Sequence, residues 1–247
     1  MRRHIGILIV SAILAASALL YTGCNPRDLV SKDQEIEIGR QASQEVESKY
    51  KVVKDPALNA EVNRMGQELV KCSDRQDIVY TFKVLDLKDV NAISLPGGWV
   101  YVYKGLINET KGKPNELAGV IAHEIGHVAA RHHATMLGRE IQASILIGTL
   151  TKGDTRQIAG LFANITLLRY SRDQEYAADK LGIKYMYRCK QWNAQGLVDF
   201  FGSLLKYEKR KPSEFEQIFL THPVTADRVK RAQKYLDDLR AGRASPD

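Results

Sequence analysis

Cysteine is scarce in this chain: three in 247 residues, Cys24, Cys72 and Cys189. No two of them stand at the short spacing that thiolate ligands need, so a metal site built on sulfur is excluded. Lysine and arginine are scattered, without a basic stripe interleaved with aromatics, so nucleic acid is not an expected partner. There is no low-complexity stretch and no internal repeat, which excludes a disordered segment or a tetratricopeptide-type array as the organising unit. Beyond Ile5–Leu20 no apolar run is long enough to cross a bilayer. Residues 139–168 come nearest, but Gly138, Gly148, Gly153 and Gly160 break them up, leaving either a pair of helices or a lid.

What is present is an ordinary globular composition, 44% hydrophobic and 26% charged, enough to bury one full core. The formal charge is +7 and falls to +5 without Arg2 and Arg3, a mild excess that fits simple solubility. Those two arginines open a leader: Met1-Arg2-Arg3-His4, an uncharged run from Ile5 to Leu20, then Tyr21-Thr22-Gly23-Cys24. This is the layout of a secretory signal peptide over 1–23, with 24–247 as the mature domain. A Cys after a small residue at the end of the run resembles a bacterial lipobox, with Cys24 lipidated and the protein anchored to the membrane by its lipid. Tyr21 departs from the usual Leu, and an uncleaved anchor is the alternative. Asn25, by the same resemblance, favours the outer membrane. In an exported chain Cys72 and Cys189 either pair or remain two buried thiols.

Periodicity divides the remainder. Ser31–Tyr50 reads as an amphipathic helix, and a second runs from Pro56 to Lys71 with Leu58, Val62, Met65 and Leu69 on one face. Ile78 to Leu85 alternates and predicts a strand. Residues 90–107 predict two strands about Pro96-Gly97-Gly98, a hairpin or a bent edge strand. Pro114 opens a helix through about Met136 that is apolar on nearly every side and therefore buried. Further helices are predicted over Ser171–Arg188, 194–207 and Thr225–Arg240.

The chemistry lies in the buried helix. His123-Glu124-Ile125-Gly126-His127 places two imidazoles one turn apart on a single face, where both can reach one metal ion. Glu124 projects about 100° round the axis, beside the ion's open position, as general base for a metal-activated water. A catalytic zinc takes three protein ligands. No His follows ten residues after His127, so the third is sought in a distant carboxylate. Glu175 in Arg172-Asp173-Gln174-Glu175-Tyr176-Ala177-Ala178-Asp179 answers, with the small Ala177 and Ala178 allowing close helix packing. Asp179, one turn on, can accept the ring N–H of a ligating histidine.

Taken together these motifs resemble the HtpX/BepA-type zinc peptidases, gluzincins related to the CAAX prenyl proteases. The resemblance runs from Asn91-Ala92 and Leu95-Pro96-Gly97-Gly98 through the His-Glu-x-x-His helix and Glu175 with Asp179 to Thr221-His222-Pro223 and Arg228. It implies an α+β, mostly helical, compact zincin fold with a small β-sheet over the zinc helix. It implies Zn2+ at His123, His127 and Glu175, with Asp179 behind them. It also implies that the strand about Pro96, Gly97 and Gly98 holds an extended substrate, although an ordinary hairpin remains the alternative. His222 is implied near the metal, donating to an oxyanion or filling the fourth position; Arg228 positions this loop or pairs on the surface. His132 and His133, following Arg131 at a helix end, are left outside the site. The expected function is an envelope endopeptidase for unfolded or misassembled proteins, on the periplasmic face. The alternative is a latched zinc protein that acts by binding, as a quality-control or assembly factor.

Overall fold

Caps decide where the helices of this chain begin. In the computed structural model, which describes residues 25–146, 169–208, 210 and 213–247, α1 covers Lys32–Lys49. Ser31 opens it through a capping box with Gln34, each side chain bonding the other's backbone N–H. α2 covers Pro56–Lys71, with Asp55 accepting from the amides of Ala57 and Leu58 and Pro56 in the first turn. The expected leader 1–23, Cys24 and residues 147–168 of the glycine-broken segment lie outside the described residues.

Three short strands follow: β1 Thr81–Leu85, β2 Ala92–Ser94 and β3 Trp99–Tyr103, in the order β1-β3-β2. β3 runs parallel to β1 and antiparallel to β2. β1 starts at Thr81 rather than Ile78, because its partner β3 begins at Trp99, opposite Thr81. The β2–β3 hairpin turns through Pro96–Gly98, where Gly97 (φ 72°) and Gly98 (φ 105°) take left-handed values that a side chain would strain. Both sheet faces are covered. Val100 and Val102 join an apolar cluster with α2 and the central helix; Tyr101 and Tyr103 join a second one with α1.

After a short α3 (Lys104–Glu109) comes the central helix α4, Pro114–Ala129, with every residue from Leu117 to Val128 buried. The single helix expected through Met136 is in fact two. α4 stops at Ala129, Arg131 adopts φ 55°, and α5 runs His132–Leu146 in a new direction. The break is held from far away in sequence. Glu35 of α1 has no exposed surface and accepts both terminal nitrogens of Arg75, at 2.9 and 3.0 Å, and Arg131 Nε at 2.9 Å.

The second half is helical: α6 Arg172–Cys189, capped by Ser171 with Gln174, then α7 Gln195–Glu208, α8 Glu216–Thr221 and α9 Ala226–Arg240, capped by Thr225. α4 is enclosed by α2, α6, α7 and the sheet. A disulfide joins Cys72 to Cys189 with their Cα atoms 5.6 Å apart, tying the end of α2 to the end of α6 across 117 positions. Closing so long a loop stabilises by about 3–5 kcal/mol in the chain-entropy view. The architecture is mostly helical α+β with a small sheet over one buried helix, the zincin arrangement. Among the described residues no helix is long and apolar enough to cross a membrane.

Burial pushes the Glu35 carboxyl up, but the hydrogen bonds and charges of Arg75 and Arg131 outweigh it and hold its pKa below the ordinary value. The stability this cluster contributes is therefore present at neutral pH and is lost as pH falls through the lowered pKa. Glu35→Gln leaves two arginines short of their countercharge and is expected to cost about 3–5 kcal/mol in urea unfolding at pH 7. Part of the acid dependence of stability should vanish with it; an unchanged slope of stability against pH would contradict this account.

Candidate metal centre

The cluster is set by how closely α4 and α6 approach. A Cβ built on Gly126 would lie 2.9 Å from the carbonyl oxygen of Ala178, and one on Gly182 would lie 3.0 Å from the amide nitrogen of His123. Glycine at these two places lets the backbones touch. The small residue that α6 turns inward is Ala178, fully buried, whereas Ala177 is half-buried. With the helices this near, side chains on their facing turns have to meet.

They meet as a group of donors. His123 and His127, one turn apart, bring their Nε2 atoms to 3.0 Å. Glu175 reaches in from α6, its Oε1 3.3 Å from His127 Nε2 and its Oε2 3.7 Å from His123 Nε2. His222, at the C-terminal end of α8, brings Nδ1 to 3.4 Å from His123 Nε2 and 3.1 Å from Glu175 Oε1. All four side chains are buried, and one donor atom from each lies within 4.8 Å of the rest. Ligands of a tetrahedral ion bound at about 2.0–2.1 Å stand roughly 3.3–3.4 Å apart, so this spacing suits a small divalent metal. Four converging nitrogen and carboxylate donors are also hard to satisfy by hydrogen bonds among themselves. The donor set fits a metal.

Charges behind the cluster are paired. Arg228 is buried and bonds Asp179 twice, Nε to Oδ2 at 2.9 Å and Nη2 to Oδ1 at 2.6 Å. Its Nη1 lies 2.6 Å from Glu175 Oε2 and also donates to the Pro223 carbonyl at 2.9 Å. One guanidinium thus fixes both carboxylates of α6 and the loop that carries His222. Asp179 Oδ1 stands 2.9 Å from His123 Nδ1, within reach although off a hydrogen-bond alignment. Burial pushes the Glu175 carboxyl up, yet the charges and hydrogen bonds of His222, His127 and Arg228 hold it well below the ordinary carboxylate range. Burial holds His127 well below the ordinary imidazole value. His222 goes the other way: burial lowers it, but the charges of Glu175 and Glu124 raise it further.

Glu124 is held beside the donors. Its Oε2 accepts from Ser94 Oγ at 2.7 Å, and its Oε1 lies 3.4 Å from His222 Nε2. Ser94 belongs to β2, the sheet edge that packs on α4. The Pro96-Gly97-Gly98 turn does not join the group: it is buried against α1, where a Cβ on Gly97 would lie 2.7 Å from Ile36 Cα. A small apolar pocket of about 20 Å³ lies beside Glu124 and His222, walled by Val120, Leu197, Phe200, Phe201 and Ile218.

Sequence reasoning missed four contributors. His132 and His133 are buried rather than solvated, and burial, above all, lowers each to a pKa of about 4. Their adjacency to the motif was visible; the backbone turn that folds them inward was not. Tyr170 stacks on His127 with ring centres 3.7 Å apart, and Ser94 reaches Glu124, neither with any local signal. Arg228, read as a helper or a surface residue, is the countercharge of the whole group.

A mostly helical fold with a sheet over a His-Glu-x-x-His helix, and a carboxylate delivered from a second helix, defines a metallopeptidase of gluzincin type. A family model described as peptidase family M48 matches residues 56–236, and the chain belongs to that family. The beta-barrel assembly-enhancing protease of Escherichia coli K12 is 24% identical over 242 residues, 92% of this chain and 48% of that protein. A Vibrio cholerae relative named after the same protease is 30% identical over 220 residues, 82% of this chain and 45% of its own length. The chain therefore spans about half the length of these relatives. The metalloprotease LoiP of Escherichia coli K12 is 30% identical over 207 residues, 77% of this chain and 75% of LoiP.

Truncating Arg228 would leave two buried carboxylates facing each other across the α6 turn. Arg228→Ala is expected to cost about 3–5 kcal/mol of unfolding free energy. Arg228→Lys should recover only part of it, because an ammonium cannot bond Asp179 and Glu175 with a planar fork. Full recovery by Lys in thermal or urea unfolding would refute this.

Proposed function

We propose that this chain is a zinc-dependent endopeptidase of the bacterial envelope that cleaves unfolded or misassembled polypeptides. The observation that carries the reading is the convergence of His123, His127 and Glu175 on one point, with Glu124 held beside it. In this reading 1–23 is a leader, 24–247 is the peptidase domain, and Cys24 carries a lipid that anchors the protein to the outer membrane. The relatives named for beta-barrel assembly support a substrate among proteins that fail to assemble in that membrane.

His123, His127 and Glu175 would hold zinc, the metal that nitrogen and carboxylate donors in this number and spacing suit. Bound there, the ion supplies Lewis acidity, polarising a scissile carbonyl and lowering the pKa of a water toward about 7. Glu124 takes the proton of the attacking water and passes it to the leaving amine. Ser94 keeps the carboxylate turned for this by bonding Oε2, so that Oε1 faces His222 and the donor cluster. Arg228 neutralises the outer oxygen of Glu175 so that the inner one faces the donors. The stretch on either side of the Pro96-Gly97-Gly98 turn is the one the family resemblance assigns to an extended peptide, held by backbone hydrogen bonds with little regard for its sequence. Val120, Leu197, Phe200 and Phe201 form an apolar wall beside Glu124.

A second reading is favoured by His222. Its Nδ1 makes a fourth donor with the other three, the place an incoming carbonyl needs. Such a site is latched, and the protein would then act chiefly by binding its client.

Glu124→Gln is expected to keep one zinc per chain and to abolish hydrolysis of unfolded casein. Full activity in that variant would overturn the mechanism. With His222 as the latch, His222→Ala should raise casein hydrolysis. A fall in kcat of about 10²–10³ would assign His222 to the developing oxyanion instead.

A further inference from the structure

A histidine that binds a metal through Nε2 carries its remaining proton on Nδ1, and that N–H needs a fixed acceptor. For His123 the group in reach is the carboxylate of Asp179, 2.9 Å away. For His127 it is another imidazole: the Nδ1 atoms of His127 and His132 lie 2.9 Å apart. Only one of two nitrogens at that distance can hold the proton. Since Nε2 of His127 faces the donor cluster, its proton is on Nδ1, and His132 accepts it as a neutral ring protonated on Nε2.

The backbone is bent to make this contact. On an unbroken helix a residue five positions on lies about 140° round the axis, turned away from its partner. Here Arg131 takes φ 55°, α4 ends, and the first turn of α5 folds back toward His127. A left-handed conformation is strained for a residue with a Cβ. Its own side chain offsets the cost, with Nε bonded to Glu35 at 2.9 Å and Nη2 to the Val30 carbonyl at 2.6 Å. Arg75, on the same Glu35, donates to the Val128 carbonyl at 2.8 Å and so closes the last turn of α4. The next histidine braces the other side of the ligand. His133 Nε2 meets the Tyr170 hydroxyl at 2.7 Å, and the Tyr170 ring lies against His127 at 3.7 Å and 27°.

We propose that His132 is a positioning residue of the metal centre: it accepts the Nδ1 proton of His127, fixes the tautomer that presents Nε2 to the ion, and is delivered by the Arg131 turn. The inference rests on the reading of His123, His127 and Glu175 as zinc ligands. Removing a partner of this kind from a ligating histidine weakens metal binding about 10–100-fold.

The test is zinc affinity of the full chain by competition with a chromogenic chelator, for wild type, His132→Ala, His132→Gln and His132→Asn. Asn sets an oxygen near the place of Nδ1, whereas Gln reaches toward that of Nε2. The Ala and Gln variants should bind zinc about 10–100-fold more weakly, with Asn restoring affinity, a pattern that general loosening of the fold would not produce. Nitrogen-15 spectra of the zinc-loaded wild type need no variant and should show a slowly exchanging proton on His127 Nδ1. Equal affinity across all four proteins, Asn as weak as Ala, or His127 protonated on Nε2 would each overturn the inference. Wild type that binds no zinc would overturn the metal centre itself, a result distinct from intact wild-type binding with unchanged variants.

Discussion

Everything in this molecule depends on the contact between α4 and α6. Two helices normally stand 8–10 Å apart, kept there by the side chains between them. At Gly126 and Gly182 those side chains are missing, and backbone meets backbone. A Cβ at Gly126 would press on the Ala178 carbonyl at 2.9 Å, and one at Gly182 would crowd the His123 amide at 3.0 Å. The smallest residues in the core thus govern the most polar group in it.

A buried group of three imidazoles and three carboxylates ought to be costly, because desolvation disfavours every charge in it. The protein meets the cost with geometry. Arg228 bonds both Asp179 and Glu175, stacks on Phe201 at 4.8 Å and caps the Pro223 carbonyl. The same arginine therefore joins α9, α6 and the His222 loop, so the charges are compensated only when all three are in place. A second buried arginine system, Glu35 with Arg75 and Arg131, does the corresponding work at the far end of α4. One fixes what reaches the centre from α6; the other fixes how α4 ends and where α5 begins.

The disulfide and the sheet set the outer frame. Cys72–Cys189 ties the end of α6 to α2, so the helix carrying Glu175 is braced at its end as well as at its glycine contact. β2, on the other side of α4, brings Ser94 to Glu124. Glu124 is thereby oriented by the sheet that covers α4.

The sequence alone determined the local facts: His123 and His127 on one helical face, Glu124 beside them, Glu175 and Asp179 one turn apart, and caps such as Ser31, Ser171 and Thr225 at the helix starts. These follow from periodicity and from backbone groups a few residues away, which are written side by side in the chain. What only tertiary structure decided lies at long range: the break at Arg131, the inward turn of His132 and His133, the stacking of Tyr170, and the place of Arg228. Arg131 bends because Glu35 is waiting for it 96 positions earlier, a partner no local window contains. A helix-period pattern continues smoothly through residues 129–132, so local propensity read one helix where a distant carboxylate imposed two. Likewise the Pro96-Gly97-Gly98 turn was legible as a turn, but only packing against α1 decided that it is buried structure, leaving β2 to face the centre.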